Sequence, residues 1–130
     1  MARWWAGVAA AGPLGGCAVG LFGGGAKGEV RVATLDQVPA GAVLRSVVED
    51  QPVLVVNVGG RIRVLSGLCT HEACELGWNA GQRLIRCPCH GSAFDVDGRV
   101  RLGPAEAPLP ELPSRVGGGG VYVVTRPVGP

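Results

Sequence analysis

Aromatic side chains are scarce in this chain, with three Trp, two Phe and one Tyr among 130 residues. A core built on stacked rings is therefore excluded, and the apolar 47% of the sequence must pack with Val, Leu and Ala. An excess of charge of one sign is missing too: twelve basic and ten acidic residues are interspersed and leave a formal net charge of +2. No concentrated basic footprint of the kind a phosphate backbone requires is present, which removes nucleic acid as a partner. Nothing singles out one cysteine as an activated nucleophile or supplies an oxyanion site, so a Cys-His hydrolase has no footing. No substrate pocket can be read either, and catalysis by the isolated chain is not expected.

What is plentiful is Gly, with 23 residues, and Pro, with 10. Val-rich runs separated by these residues argue for short strands, because β-branched side chains suit a pleated surface and Gly and Pro suit the connections. The expected class is all-β. Ala42 to Val48, Pro52 to Val58 and Arg61 to Ser66 predict three strands, the last two joined by Gly59-Gly60, a pair that tolerates the positive φ of a tight hairpin. Arg83 to Arg86 predicts a further strand, Phe94 to Arg101 a hairpin turning at Asp97-Gly98, and Val121 to Thr125 a closing strand. Residues 67–82 and 87–93 are expected to be loops. Leu102 to Ser114 holds four prolines, which cannot donate to a central ladder, so this segment is expected to run over the surface and cover something.

Ahead of these strands, Trp4 to Ala26 carries no charged side chain. As a helix, 23 residues would rise about 35 Å, enough to cross a bilayer core. Pro13 and the glycines weaken that helix, and a signal segment competes with it, with Arg3 as its basic region and Trp4 to Leu14 as its apolar region. Leu14-Gly15-Gly16-Cys17 resembles a bacterial lipoprotein processing site, which would make Cys17 the lipidated first residue of the mature chain. Firm attachment would then need two or more acyl chains. Membrane anchor and lipoprotein signal both stay open for residues 1–26, with a mis-assigned start codon as a third reading. Both main readings tether the folded domain on the extracytoplasmic face of a membrane. Residues 23–28, glycine-rich and costly to order, are expected to be a linker, either a hinge or a passive tether, and the domain is expected over 29–130.

Both histidines of the chain lie in short patterns with cysteine, Cys69-Thr70-His71 and Cys87-Pro88-Cys89-His90. Thiolate and imidazole bind soft and borderline metals, and each pattern brings its donors together on one loop, so two loops could clamp one metal site. Scattered cysteines acting as small buried hydrophobes would not explain two paired patterns. A structural zinc site of two Cys and two His uses the same donor types and stays open on spacing alone. It leaves two thiols near the site without a use.

The stretches Cys69-Thr70-His71-Glu72-Ala73-Cys74 and Cys87-Pro88-Cys89-His90-Gly91-Ser92 resemble the two cluster-binding loops of Rieske proteins, in particular the iron-sulfur subunits of quinol-oxidising cytochrome bc and b-f complexes. The resemblance continues through Trp78-Asn79 and Gly103-Pro104-Ala105 and covers about Glu29 to Arg126. It implies a Rieske-type antiparallel β-sandwich with a small two-loop cluster-binding subdomain, holding one 2Fe-2S cluster. Cys69 and Cys87 would ligate one iron and His71 and His90 the other. Cys74 and Cys89 are then the remaining pair, and a disulfide between them would lock the loops together, which fits an oxidising compartment. Neutral imidazoles in place of two thiolates raise the potential of such clusters.

The resemblance also implies roles around the cluster. Ser92 would donate to a bridging sulfide and raise the potential, and Gly103-Pro104 would shield the cluster from water. Phe94 stands where high-potential relatives carry a tyrosine that donates to a cysteine sulfur, so an intermediate potential is expected. Glu72-Ala73 replaces the family's usual Leu-Gly at the tip where quinone docks. The function implied is one-electron transfer in a respiratory chain, from quinol to a c-type cytochrome beside a cytochrome b subunit, with His90 accepting the proton. The rival readings are the small subunit of another extracytoplasmic oxidoreductase, such as one acting on arsenite, a Rieske ferredoxin serving a dioxygenase, and a zinc-stapled binding module.

Overall fold

The structure, a computed structural model, describes residues 28–125. The expected anchor or signal segment, Cys17 and the linker up to Lys27 lie outside the described residues. Eleven strands follow one another: β1 (Glu29–Thr34), β2 (Val43–Val48), β3 (Gln51–Val58), β4 (Arg61–Ser66), β5 (Gly77–Asn79), β6 (Leu84–Arg86), β7 (Ala93–Phe94), β8 (Val100–Leu102), β9 (Glu111–Leu112), β10 (Ser114–Gly117) and β11 (Gly120–Val124). Among the described residues the helical structure is a single 3-10 turn at Leu35–Gln37, and no helix is long and apolar enough to cross a membrane.

The strands form three antiparallel sheets, ordered β1-β11-β10, β2-β3-β4-β9 and β5-β6-β7-β8. The second sheet is the middle layer, and the reason is written in β3. Val53, Leu54, Val55 and Val56 are all buried, so this strand is covered on both faces, as a continuous apolar run requires. Side chains alternate across a strand. Val53 and Val55 join Val32, Val121 and Val123 in a core against the first sheet, while Leu54 and Val56 join Ile85, Phe94, Cys69 and Cys87 in a core against the third. In β4, Val64 and Leu65 divide between the same two cores. The cysteine-bearing loops are thus rooted in one of two hydrophobic cores, and the first and last strands of the described chain in the other.

The β3–β4 hairpin turns at Gly59 and Gly60, both at positive φ, as the Gly-Gly pair predicts. Asn57 fixes that turn: its side-chain carbonyl accepts from the Gly60 N–H at 2.8 Å, and its amide donates to the Val38 carbonyl at 2.7 Å. Two expectations need correction. Residues 67–82 are not all loop, because Gly77–Asn79 pairs with Leu84–Arg86 and closes the third sheet. The proline-rich segment runs over the surface and covers the cysteine-bearing core, as expected, but it is not free of strand. Its Ala105 and Leu109 are buried in the cysteine-bearing core, and Glu111–Leu112 adds a two-residue edge strand to β4. An edge position between Pro110 and Pro113 reconciles a strand with residues that lack a backbone donor.

Candidate metal centre

Two loops carry the cysteine and histidine patterns, the first between β4 and β5, the second between β6 and β7. The neck of the first is closed by a Leu68–Glu75 bridge and by the Cys69 N–H, which donates to the Cys74 carbonyl at 2.9 Å. Gly67 sets its base: a Cβ there would lie 2.9 Å from the Pro52 carbonyl carbon, so only glycine lets the loop leave the sheet this close to β3. The second loop is closed by the Cys87 N–H donating to the Ser92 carbonyl at 2.8 Å and the Gly91 N–H donating to the Cys87 carbonyl at 3.1 Å. Gly91 takes positive φ in that turn. A Cys74–Cys89 disulfide ties one loop to the other.

Cys69 and Cys87 are free and buried, with exposures of 5% and 3%. Burial pushes the Cys69 thiol up, but hydrogen bonds from the backbone of Glu72 and His71, and from the side chains of Cys87 and Ser92, outweigh it and leave the thiol below its ordinary value. That environment favours the thiolate, the form a metal takes. His71 and His90 lie on the exposed side, their rings edge to face at 5.2 Å between centroids. Glu72 reaches across to the second loop, its Oε1 3.1 Å from Nδ1 of His90. The four donors thus sort into a buried sulfur pair and an exposed imidazole pair. One tetrahedral zinc would gather all four around a single point, whereas a two-iron cluster takes one pair on each iron. The donor set fits the latter.

The remaining residues singled out in the sequence surround this site. Ser92 is fully buried and its Oγ accepts from the Ala105 N–H at 3.0 Å. Phe94 is fully buried in the core that contains both free cysteines, and Trp78 packs against the same core. Gly103 and Pro104 are exposed, and the segment they begin is held to the sheets from several sides. The Leu109 N–H donates to the Gly98 carbonyl at 2.9 Å. Arg63 pairs with Asp97 at 2.7 Å and with Glu111 at 3.0 Å, and its hydrogen bond to Glu111 raises it further above its ordinary value. Thr70 donates its hydroxyl to the Ala107 carbonyl at 2.7 Å, joining the first loop to the proline-rich segment. Neither Thr70 nor Gly67 is marked by the metal-binding spacing. Their roles depend on backbone groups more than ten residues away.

Three stacked antiparallel layers with paired Cys and His loops at one end define a small iron-sulfur electron-transfer domain. The chain belongs to the Rieske [2Fe-2S] domain family, whose model matches residues 28–113. The group such domains carry is one 2Fe-2S cluster, and their chemistry is electron transfer. The cytochrome b6-f complex iron-sulfur subunit of Chlorobaculum tepidum is 34% identical over 95 residues, covering 73% of this chain and 52% of that protein. The chain therefore spans about half the length of the curated relatives it matches. Among solved structures, the plasma membrane Rieske protein PetC3 from Synechocystis PCC 6803 is similar with a TM-score of 0.64 and 33% identity, over 72% of this chain and 97% of that one. The ferredoxin of carbazole 1,9a-dioxygenase from Nocardioides aromaticivorans IC177 follows with a TM-score of 0.61 and 31% identity, over 77% and 100%.

Proposed function

We propose that this chain is the iron-sulfur subunit of a quinol-oxidising complex of the cytochrome bc or b-f type, passing electrons to a c-type cytochrome beside a cytochrome b subunit from the extracytoplasmic face. The observation that carries this reading is the division of donors into buried thiols and exposed imidazoles, on loops joined by a disulfide. Cys69 and Cys87 would hold one iron of the cluster, and His71 and His90 the other. Bound there, a 2Fe-2S cluster supplies reversible one-electron transfer at a potential raised by its neutral ligands. The chain's own residues divide the remaining work. The buried sulfur side, lined by Phe94, Leu76, Ala105 and Leu109, keeps water from the thiolates. The exposed imidazoles give partners a point of contact, and His90 accepts the proton that leaves quinol with the electron. Ser92 keeps its hydroxyl proton for the sulfur side because its oxygen is already engaged by Ala105. The disulfide fits an oxidising compartment, and so an extracytoplasmic location.

Glu72 supports a second reading, the electron-carrying small subunit of another extracytoplasmic oxidoreductase. Its carboxylate stands beside His90 on the face a partner would touch, where an apolar quinone head would have to displace charge. A redox titration followed by electron paramagnetic resonance tests the quinol-oxidising reading and the cluster ligands. A Rieske-type signal at positive potential, falling as pH rises, is the expected result for quinol oxidation. A signal only at strongly negative potential would assign a ferredoxin-like role, and stoichiometric zinc with no paramagnetic signal would overturn the cluster ligands.

A further inference from the structure

The free thiol of Cys87 lies beside the disulfide: the sulfurs of Cys74, Cys87 and Cys89 are all within 4.8 Å of one another. Cys69, the other free thiol, is not a member of that group. One reduced sulfur next to two bonded ones is the starting arrangement for thiol–disulfide exchange, which needs a thiolate within reach of a disulfide sulfur and consumes no oxidant. We propose that Cys87 is an intramolecular exchange nucleophile, converting the Cys74–Cys89 linkage of the cluster-free protein into a Cys74–Cys87 linkage.

The step balances within the chain. Cys87 Sγ loses its proton and bonds to Cys74 Sγ, the bond between Cys74 and Cys89 breaks, and its electron pair leaves on Cys89 Sγ, which takes up a proton. One thiol and one disulfide are present before and after. Attack on Cys74 is preferred over attack on Cys89 for two reasons. Bonding Cys87 to Cys89 would close a ring over the single rigid residue Pro88 and leave the loops unlinked, whereas bonding to Cys74 keeps both loops joined and retains the loop-closure restraint. Cys89 is also the exposed member of the pair while Cys74 is half-buried, so the departing charge emerges into water.

The consequence rests on the reading of Cys87 as a cluster ligand. Exchange would withdraw that ligand and leave a stable, cross-linked protein unable to take up a cluster, while a cluster held by Cys87 would prevent the exchange. Cluster insertion would then have to precede, or accompany, closure of the disulfide.

The test is disulfide mapping of the full chain, purified with its cluster and then stripped by chelation without oxidant. Thiols are blocked with N-ethylmaleimide at intervals and peptides are mapped without reduction. Expected are a growing Cys74–Cys87 peptide and labelling of Cys89 several-fold above that in cluster-bearing protein; in the variants, each lacking a proposed ligand and so mapped as purified without cluster, Cys89 labelling is lost in Cys87→Ser and kept in Cys69→Ser. Stripped wild-type protein that retains Cys74–Cys89 alone, with Cys69 and Cys87 both labelled, overturns the exchange, as does a new linkage through Cys69. Iron and sulfide uptake is measured separately. Full uptake by the exchanged form would leave the exchange standing and overturn the ligand role of Cys87.

Discussion

The hydroxyl of Ser92 accepts from the Ala105 N–H, and its own proton remains for the sulfur side of the site, where it also lowers the Cys69 thiol. Replacing Ser92 by Ala removes both interactions at a fully buried position. The unpaired Ala105 N–H should cost about 1–3 kcal/mol of stability. Loss of a hydrogen bond to a charged group, about 1.5–3 kcal/mol, should lower the potential by roughly 60–130 mV, read by titration of the paramagnetic signal. Phe94 is the matching case of opposite sign. It is fully buried in the core shared with Cys69 and Cys87 and has nothing to donate. Phe94→Tyr should raise the potential by about 20–60 mV, the value of one neutral hydrogen bond, if the new hydroxyl meets a cysteine sulfur. An unchanged potential with lowered stability would mean that the hydroxyl is buried without a partner. At this scale the cysteines and histidines were legible because their pattern is local. Thr70 was not, since its partner is a backbone carbonyl 37 residues away.

Among the elements, the first loop depends on the approach of Gly67 to β3. Gly67→Ala would press its Cβ against Pro52 backbone atoms at 2.9 and 3.0 Å, and backbone cannot swing aside as a long side chain can. A cost of about 1–3 kcal/mol is expected, with the loop displaced and the iron content of the purified protein reduced. Thermal unfolding and metal analysis check both. The longer strands were legible for a physical reason: β2, β3 and β4 are Val- and Leu-rich runs, and the run in β3 is buried on both faces. Length alone did not decide it: the three-residue β6 was read from Arg83 to Arg86, the six-residue β1 was missed although Val30 and Val32 alternate along it, and β5 and β9 were missed as well. β5 is three residues opening on Gly77, and β9 lies between prolines, so neither carries a periodic signal. The β10–β11 hairpin could have been read. Its Gly118-Gly119 turn, both residues at positive φ, repeats the pattern of Gly59-Gly60, and beginning the closing strand at Val121 overlooks it.

For the whole molecule, the Cys74–Cys89 cross-link closes a segment of 15 residues between the two loops. A loop of that length is worth about 3 kcal/mol, so reduction should lower the melting temperature by at least about 10 °C and release iron in parallel, followed by calorimetry and visible absorbance. Retention of the cluster after complete reduction would show that the hydrogen-bonded necks hold the loops unaided. The all-β class was legible from composition, but the layering was not, because it depends on which face of β3 meets which neighbouring sheet. That layering also has a mechanical consequence. The chain enters through β1, in the sheet on the far side of the middle layer from the cysteine-bearing core, and the Gly28 carbonyl just before it is held there by the Thr125 N–H and hydroxyl, which donate to it at 2.8 and 3.0 Å. A pull or twist arriving through this entry point would therefore load the β1-β11-β10 sheet first, with two hydrophobic cores between it and the loops that carry the paired imidazoles.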